Sequence, residues 1–204
     1  MSLINYFSDD SHKRALFIFN LIAPVYGVID KYLNNSFKNA IDILAKTINI
    51  TNQNILDIGT GTGAWISLFL PHTANLTGID FSKKMIAIAE RNYPAINFLQ
   101  LNATDLKGID ENTFDIVTSS YVLHGMSKIE RKGLLQEMKR VSRKYVVIHD
   151  FTGKTTRFIA FLEFLERSDY PYFKDHFTEE LKEMFSSVKK IEVENGAGLY
   201  IAEI

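Results

Sequence analysis

The sequence predicts an α/β domain: a doubly wound, mostly parallel sheet with helices ahead of it and an antiparallel hairpin at its end. Three observations predict it. Between residues 54 and 149, short apolar runs alternate with segments whose apolar residues recur every three or four positions, the alternation of a parallel sheet covered by helices. The stretch ILDIGTGTG at 55–63 runs from a buried strand into a turn with glycine at 59, 61 and 63, the kind that brings bare backbone close to a ligand. Near the end, two strand-like runs, 188–193 and 199–202, are joined by a turn short enough to require antiparallel pairing.

The elements follow in order. The first fifty residues read as helical, with Ile29, Leu33, Phe37, Ile41, Leu44 and Ile48 on one face ahead of the first strand. Residues 54–58 form a buried strand, 64–70 a helix, 76–79 a strand and 83–92 a helix capped by Ser82. Strands are expected at 96–101, 114–119 and 145–149, and Ser127 with Glu130 makes a capping box before a helix that runs to about residue 141. Residues 158–167 and 179–185 look helical. Phe158, Phe161, Leu162 and Leu165 share one face, suited to a core or a pocket lid, and Tyr170 to Phe173 is an aromatic loop around Pro171. The turn of the closing hairpin falls at 195–198.

Composition bounds the function. With 204 residues, 46% of them hydrophobic, the chain buries one core and forms one domain, 1–204. Within it, 1–50 is expected as a helical lid and 51–204 as the core, with a lid insertion at 152–177. Twenty-three basic against twenty-four acidic residues leave a net charge of -1 and no basic block to track a phosphate backbone, which argues against nucleic acid. The absence of cysteine excludes disulfides, thiolate metal sites and cysteine nucleophiles, and no metal is expected. No apolar run reaches membrane-spanning length and residues 1–10 lack a signal-peptide pattern, so the expectation is a soluble cytoplasmic protein without stable membrane association.

The glycine turn poses the chemical question. Gly59, Gly61 and Ala64 satisfy the G-x-G-x-x-G/A pattern of dinucleotide sites. Asp57 argues against a dinucleotide, because a carboxylate at the end of that strand repels a pyrophosphate and attracts an ammonium. Asp80 ends the second strand about 20 residues after the first glycine of the turn.

ILDIGTGTG resembles the first motif of the class I S-adenosylmethionine-dependent methyltransferases, a Rossmann-like fold with a terminal hairpin. The resemblance implies that Gly59, Thr60, Gly61 and Gly63 approach the methionyl part of the cofactor while Asp57 helps hold its ammonium. LTGIDFS resembles the second motif, which puts Asp80 on both ribose hydroxyls with Phe81 beside it. LNATDL resembles the third, with Asn102, where aspartate is usual, and the backbone N–H of Ala103 reading the adenine edge. FDIVTSSYVLHGM resembles the fourth and places Ser119 and Ser120 near the methionyl group. Within the superfamily, FNLIAPVYGVID and VVIHDFT are similar to the N-terminal signature and fifth strand of the ubiquinone and menaquinone C-methyltransferases, with Gly27 where those carry aspartate.

The resemblance implies S-adenosylmethionine as cofactor and a small-molecule methyl acceptor. A sulfonium methyl is already electrophilic, so the protein must align a nucleophile, exclude water and take a proton where the attacking atom carries one. Candidates for that proton are His124, after the fourth strand, and His149, which ends the fifth with Asp150; Tyr26 closes the cofactor pocket or touches substrate. Each also has a plain structural reading, a polar wall for the histidines and core packing for the tyrosine. Two other functions stay open: a nicotinamide oxidoreductase, favoured by the glycine spacing, and a non-catalytic S-adenosylmethionine-binding protein, suggested by Asn102 and Gly27. The expected acceptor is compact and water-soluble, held beneath the Tyr26 region and residues 158–173.

Overall fold

The computed structural model describes the backbone of residues 26–103, 106–152 and 170–204 and, in the first helix, side chains from Leu33 onward. The Tyr26 ring, the FNLIAPV stretch, the helix expected at 158–167 and most of the 152–177 insertion lie outside the described residues.

The first helix, α1 (Tyr26–Thr47), leads to β1 (Ile55–Ile58) and β2 (Leu76–Asp80). Then come α2 (Lys83–Asn92), β3 (Asn97–Gln100), β4 (Phe114–Ser120), α3 (Lys128–Val141) and β5 (Ser142–Phe151). The chain closes with α4 (Tyr170–Met184), β6 (Ser187–Glu192) and β7 (Ala197–Glu203). The strand order is β3-β2-β1-β4-β5-β7-β6. β1 to β5 pair in parallel, while β7 runs antiparallel to both β5 and β6. The chain winds outward from β1 to β3 and then returns to β4, so the order reverses between β1 and β4, where such sheets open a crevice at their carboxyl ends.

Both faces are covered. On one, Phe37, Ala40, Ile41 and Leu44 of α1 pack with Trp65, Phe69 and Ile86 over Ile55, Ile116 and Val147. On the other, Leu134, Leu135 and Met138 of α3 and Phe173, Phe177 and Leu181 of α4 cover Leu56, Ile58, Val117, Val146 and Ile148. All four residues of β1 are buried, as a central parallel strand requires. Ser82 caps α2 by accepting from the Met85 N–H, and the Ser127/Glu130 capping box is present at α3. Among the described residues no helix is long and apolar enough to cross a membrane.

Three segments differ from expectation. The helix expected at 64–70 is a single 3-10 turn, Ile66–Phe69. Gly63, at φ +82°, bends the backbone just before it, so a helix can start only after that residue, and Leu70, itself in the helical region, closes the short turn by donating to the Ser67 carbonyl. The aromatic stretch from Tyr170 is the first turn of α4 and not a loop. Tyr170, Phe173, Phe177 and Leu181 fall at steps of three and four on a buried face, and Pro171 is tolerated where a helix has no N–H to donate. β5 extends three residues earlier and two later than the 145–149 core, because it is paired on both edges by β4 and β7.

Candidate active site

The glycine turn sits at the carboxyl end of β1, beside the β4 terminus. The N–H groups of Gly59 and Thr60 both donate to the Ile79 carbonyl at 2.9 Å, which ties the turn to β2. Gly59 has φ +71°, and a Cβ there would lie 2.5 Å from a Val122 methyl, so the position excludes other residues on two counts. Gly61, at φ +54°, has nothing within 4 Å of where a Cβ would stand; its bare backbone faces open space. The segment after the turn is too short to carry a helix macrodipole, so the feature that seats a pyrophosphate in dinucleotide sites is missing.

Two carboxylates flank the turn with opposite roles. Asp80 is engaged: one oxygen accepts from the Gly61 N–H at 3.0 Å and the other from the Ser82 N–H at 2.8 Å, so it shapes the loop that it borders. Its burial raises its pKa while those two bonds pull it down. Asp57 is 1% exposed, and neither of its oxygens has a hydrogen-bond partner. Burial pushes its carboxyl up to about 8, the Thr60 hydroxyl offsetting part of the rise and the Asp80 charge adding to it. The Thr60 hydroxyl is likewise buried, close enough to act on the Asp57 carboxyl but in no hydrogen bond of good geometry. An orphaned buried carboxyl is costly, and a cationic donor is what relieves the cost.

The remaining expected cofactor residues lie along the same rim. Phe81 follows Asp80, and its carbonyl accepts from Gln100 Nε2 at 3.2 Å, across to the end of β3. Asn102 is exposed and Ala103 half-buried just beyond β3, where the Leu101 N–H donates to the Asp80 carbonyl. Ser119 is fully buried, and its hydroxyl donates to the Ile58 carbonyl at 2.8 Å, clamping β4 to β1.

Two histidines occupy separate environments because successive residues of β5 face opposite sides of the sheet. His124 stands in the 3-10 turn Leu123–Gly125, its Nδ1 2.7 Å from an Asp150 oxygen. Asp150 also accepts from the N–H groups of Leu123, His124 and Phe151 at 3.1, 3.2 and 2.8 Å, so it fixes both the turn and the ring. A carboxylate only accepts, so the proton between the two groups is on Nδ1. On the other face His149 is fully buried, with Nδ1 2.9 Å from the Ser120 hydroxyl and its ring stacked on Trp65 at 4.8 Å. Its Nε2 has no partner, and burial lowers its pKa to about 4, which makes it neutral at pH 7.

One buried ion pair supports the His124 turn and was not foreseen. Arg131 Nε and an Nη reach the two Glu180 oxygens at 2.7 and 2.9 Å, while its other Nη donates to the carbonyls of Met126 at 2.6 Å and Leu123 at 3.4 Å. Its only sequence signal is an arginine on the same helical face as Leu134, Leu135 and Met138. Among the described residues no group of three or more His, Asp or Glu side chains is placed to hold a metal ion.

The chain is similar to known proteins. Residues 55–145 match the family described as methyltransferase domain. A demethylmenaquinone methyltransferase from Thermotoga maritima is 27% identical over 157 residues, 72% of this chain and 66% of the relative. A phosphatidylethanolamine N-methyltransferase from Cereibacter sphaeroides is 33% identical over 116 residues, 52% of this chain and 55% of the relative. The chain thus spans two thirds or less of the length of these curated relatives. Among solved structures, a DhpI–SAH complex matches with a TM-score of 0.71 at 20% identity, over 91% of this chain and 93% of that one.

Proposed function

From the membership of this chain in the class I S-adenosylmethionine-dependent methyltransferases, we propose that it transfers the cofactor's methyl group to a small molecule held at the carboxyl ends of β4 and β5. The observation that carries the reading is Asp57, a buried carboxyl without a partner beside a glycine turn with open space over Gly61. It suits an ammonium and a sulfonium, and repels a pyrophosphate. When bound, S-adenosylmethionine supplies an electrophilic methyl.

The chain's own residues do the rest. Asp57 ionises and takes the ammonium, and Asp80, with lone pairs beyond those it gives to Gly61 and Ser82, takes the ribose hydroxyls. Asn102 and the Ala103 N–H border the adenine. His124 Nε2 removes the proton of the attacking atom, and Asp150 holds the ring in the needed tautomer and stabilises the imidazolium that forms. Arg131 and Glu180 keep the His124 turn seated on α4, and Phe151, Tyr170 and Phe173 wall this end from water. The Tyr26 region and the residues leading into α4 cover the acceptor, while α1 from Phe37 onward and α4 from Phe173 onward belong to the core, and the protein works in the cytoplasm on a compact acceptor without binding membranes.

Titration calorimetry with S-adenosylmethionine, S-adenosylhomocysteine and reduced nicotinamide dinucleotide tests the cofactor. The first two bind and the third does not; tight nicotinamide binding with no response to either adenosyl compound refutes the reading.

A further inference from the structure

Tyr121 is the residue directly after β4, at the carboxyl end of the sheet, and it has the backbone of a glycine: φ is +54°. A bulky side chain in the left-handed region is strained, and such strain persists where the surroundings over-determine it, most often at functional sites. Its N–H donates to the His149 carbonyl at 2.9 Å, which pins the turn. The consequence is where the ring goes. It stands half-buried between the two histidines, its centroid 4.9 Å from the His149 ring, 6.3 Å from His124 and 4.9 Å from Phe151. Phe151 in turn meets Tyr170 at 5.2 Å, so an aromatic wall runs from α4 across the strand ends. Val122, the next residue, is the one that abuts Gly59, so this wall adjoins the glycine turn.

We propose that Tyr121 is an acceptor-binding residue, holding a flat aromatic acceptor against its ring between His124 and the methyl-donor end of the glycine turn; this rests on the methyltransferase reading above. The wall's composition sets the class of acceptor. Four rings surround Tyr121, the two histidines edge-on at 74° and 76° and Phe151 and Phe37 tilted at 53° and 34°, an aromatic setting that a further flat ring extends. The charged groups beside it are committed, Asp150 to His124 and three backbone N–H groups, Arg131 to Glu180, and His149 is neutral. The wall therefore has no charge to offer a compact anion or cation.

The chain's single tryptophan, Trp65, stacks on His149 behind Tyr121 and provides a binding readout that needs no turnover. The probes are phenol, aniline and indole against ethanolamine and acetate, titrated with saturating S-adenosylhomocysteine while Trp65 emission is followed. In the natural protein the aromatic probes give a saturable change and the two aliphatic ones none. Tyr121→Asn and Tyr121→Gly, both residues that adopt positive φ readily, weaken aromatic binding at least tenfold and leave S-adenosylhomocysteine affinity within twofold. Tyr121→Phe, which keeps the ring, stays within threefold. Aliphatic probes binding as well as aromatic ones, no aromatic probe binding, or unchanged aromatic binding in whichever of Tyr121→Asn and Tyr121→Gly folds overturns the inference while the methyltransferase reading stands. Failure of S-adenosylhomocysteine to bind the natural protein overturns both.

Discussion

Removing the charge at Asp57 changes cofactor binding in a pH-dependent way. The carboxyl is 1% exposed with both oxygens unpartnered, and its pKa stands at about 8. Near pH 7 it is mostly protonated in the ligand-free protein, and it must ionise to hold an ammonium, so binding releases close to one proton. An α-amino group itself titrates at about 7.7 to 8.0, so affinity peaks near pH 8 and falls roughly 10- to 30-fold by pH 6. Calorimetry at pH 7 in two buffers of different ionisation enthalpy reads the proton release, and titrations from pH 6 to 8 read the slope. Asp57→Asn abolishes the release and removes a charge-assisted hydrogen bond worth about 1.5 to 3 kcal/mol, roughly a 10- to 150-fold loss at pH 8. The folded pKa lies above the unfolded value of 3.8, so Asp57's own contribution to ligand-free stability is greatest below about pH 4 and declines as pH rises towards 8. Asp57→Asn therefore raises the ligand-free melting temperature more at pH 8 than at pH 5. Affinity that is flat from pH 6 to 8, or full affinity in Asp57→Asn, refutes the reasoning.

Three further substitutions separate the parts of the site. Asp80→Ala lowers S-adenosylmethionine affinity at least tenfold by calorimetry and also lowers the melting temperature, because the N–H groups of Gly61 and Ser82 lose their acceptors. His124→Gln lowers kcat by about 10² to 10⁴ at saturating cofactor, with cofactor affinity unchanged by calorimetry. Arg131→Met costs about 3 to 5 kcal/mol in denaturant unfolding by leaving Glu180 buried and unpaired, while Arg131→Met combined with Glu180→Leu recovers most of that loss.

Features set by neighbouring residues were legible in the sequence. The β1 run into Gly59, Ser82 on α2, the Ser127/Glu130 box and the closing hairpin each depend on a few consecutive positions. So did the placement of Asp57 and Asp80 at adjacent strand ends. At residues 64–70 apolar spacing does not register the left-handed backbone of Gly63 just before the turn, and Tyr170 to Phe173 reads as a loop because of a proline among aromatics until the buried face continues through Phe177 and Leu181. The Arg131–Glu180 pair joins residues 49 apart, and the His124–Asp150 pair 26 apart; each depends on how α3, α4 and β5 are brought together. The backbone of Tyr121 left no trace in the sequence, since nothing in SSYVLHG marks a tyrosine for positive φ.

The central claim, methyl transfer to a small acceptor, is tested most directly by supplying S-adenosylmethionine labelled in its methyl group. Purified protein is given a panel of small phenols, amines and acids alongside a prenylated demethyl-quinone in detergent, and label in product is measured against S-adenosylhomocysteine formed. Equimolar labelled product and S-adenosylhomocysteine form on a compact acceptor, with transfer lowered at limiting cofactor in Asp57→Asn and lowered at saturating cofactor in His124→Gln. Tight cofactor binding without label transfer to any acceptor would contradict it in favour of a binding protein, and turnover confined to the prenylated quinone would contradict the compact acceptor.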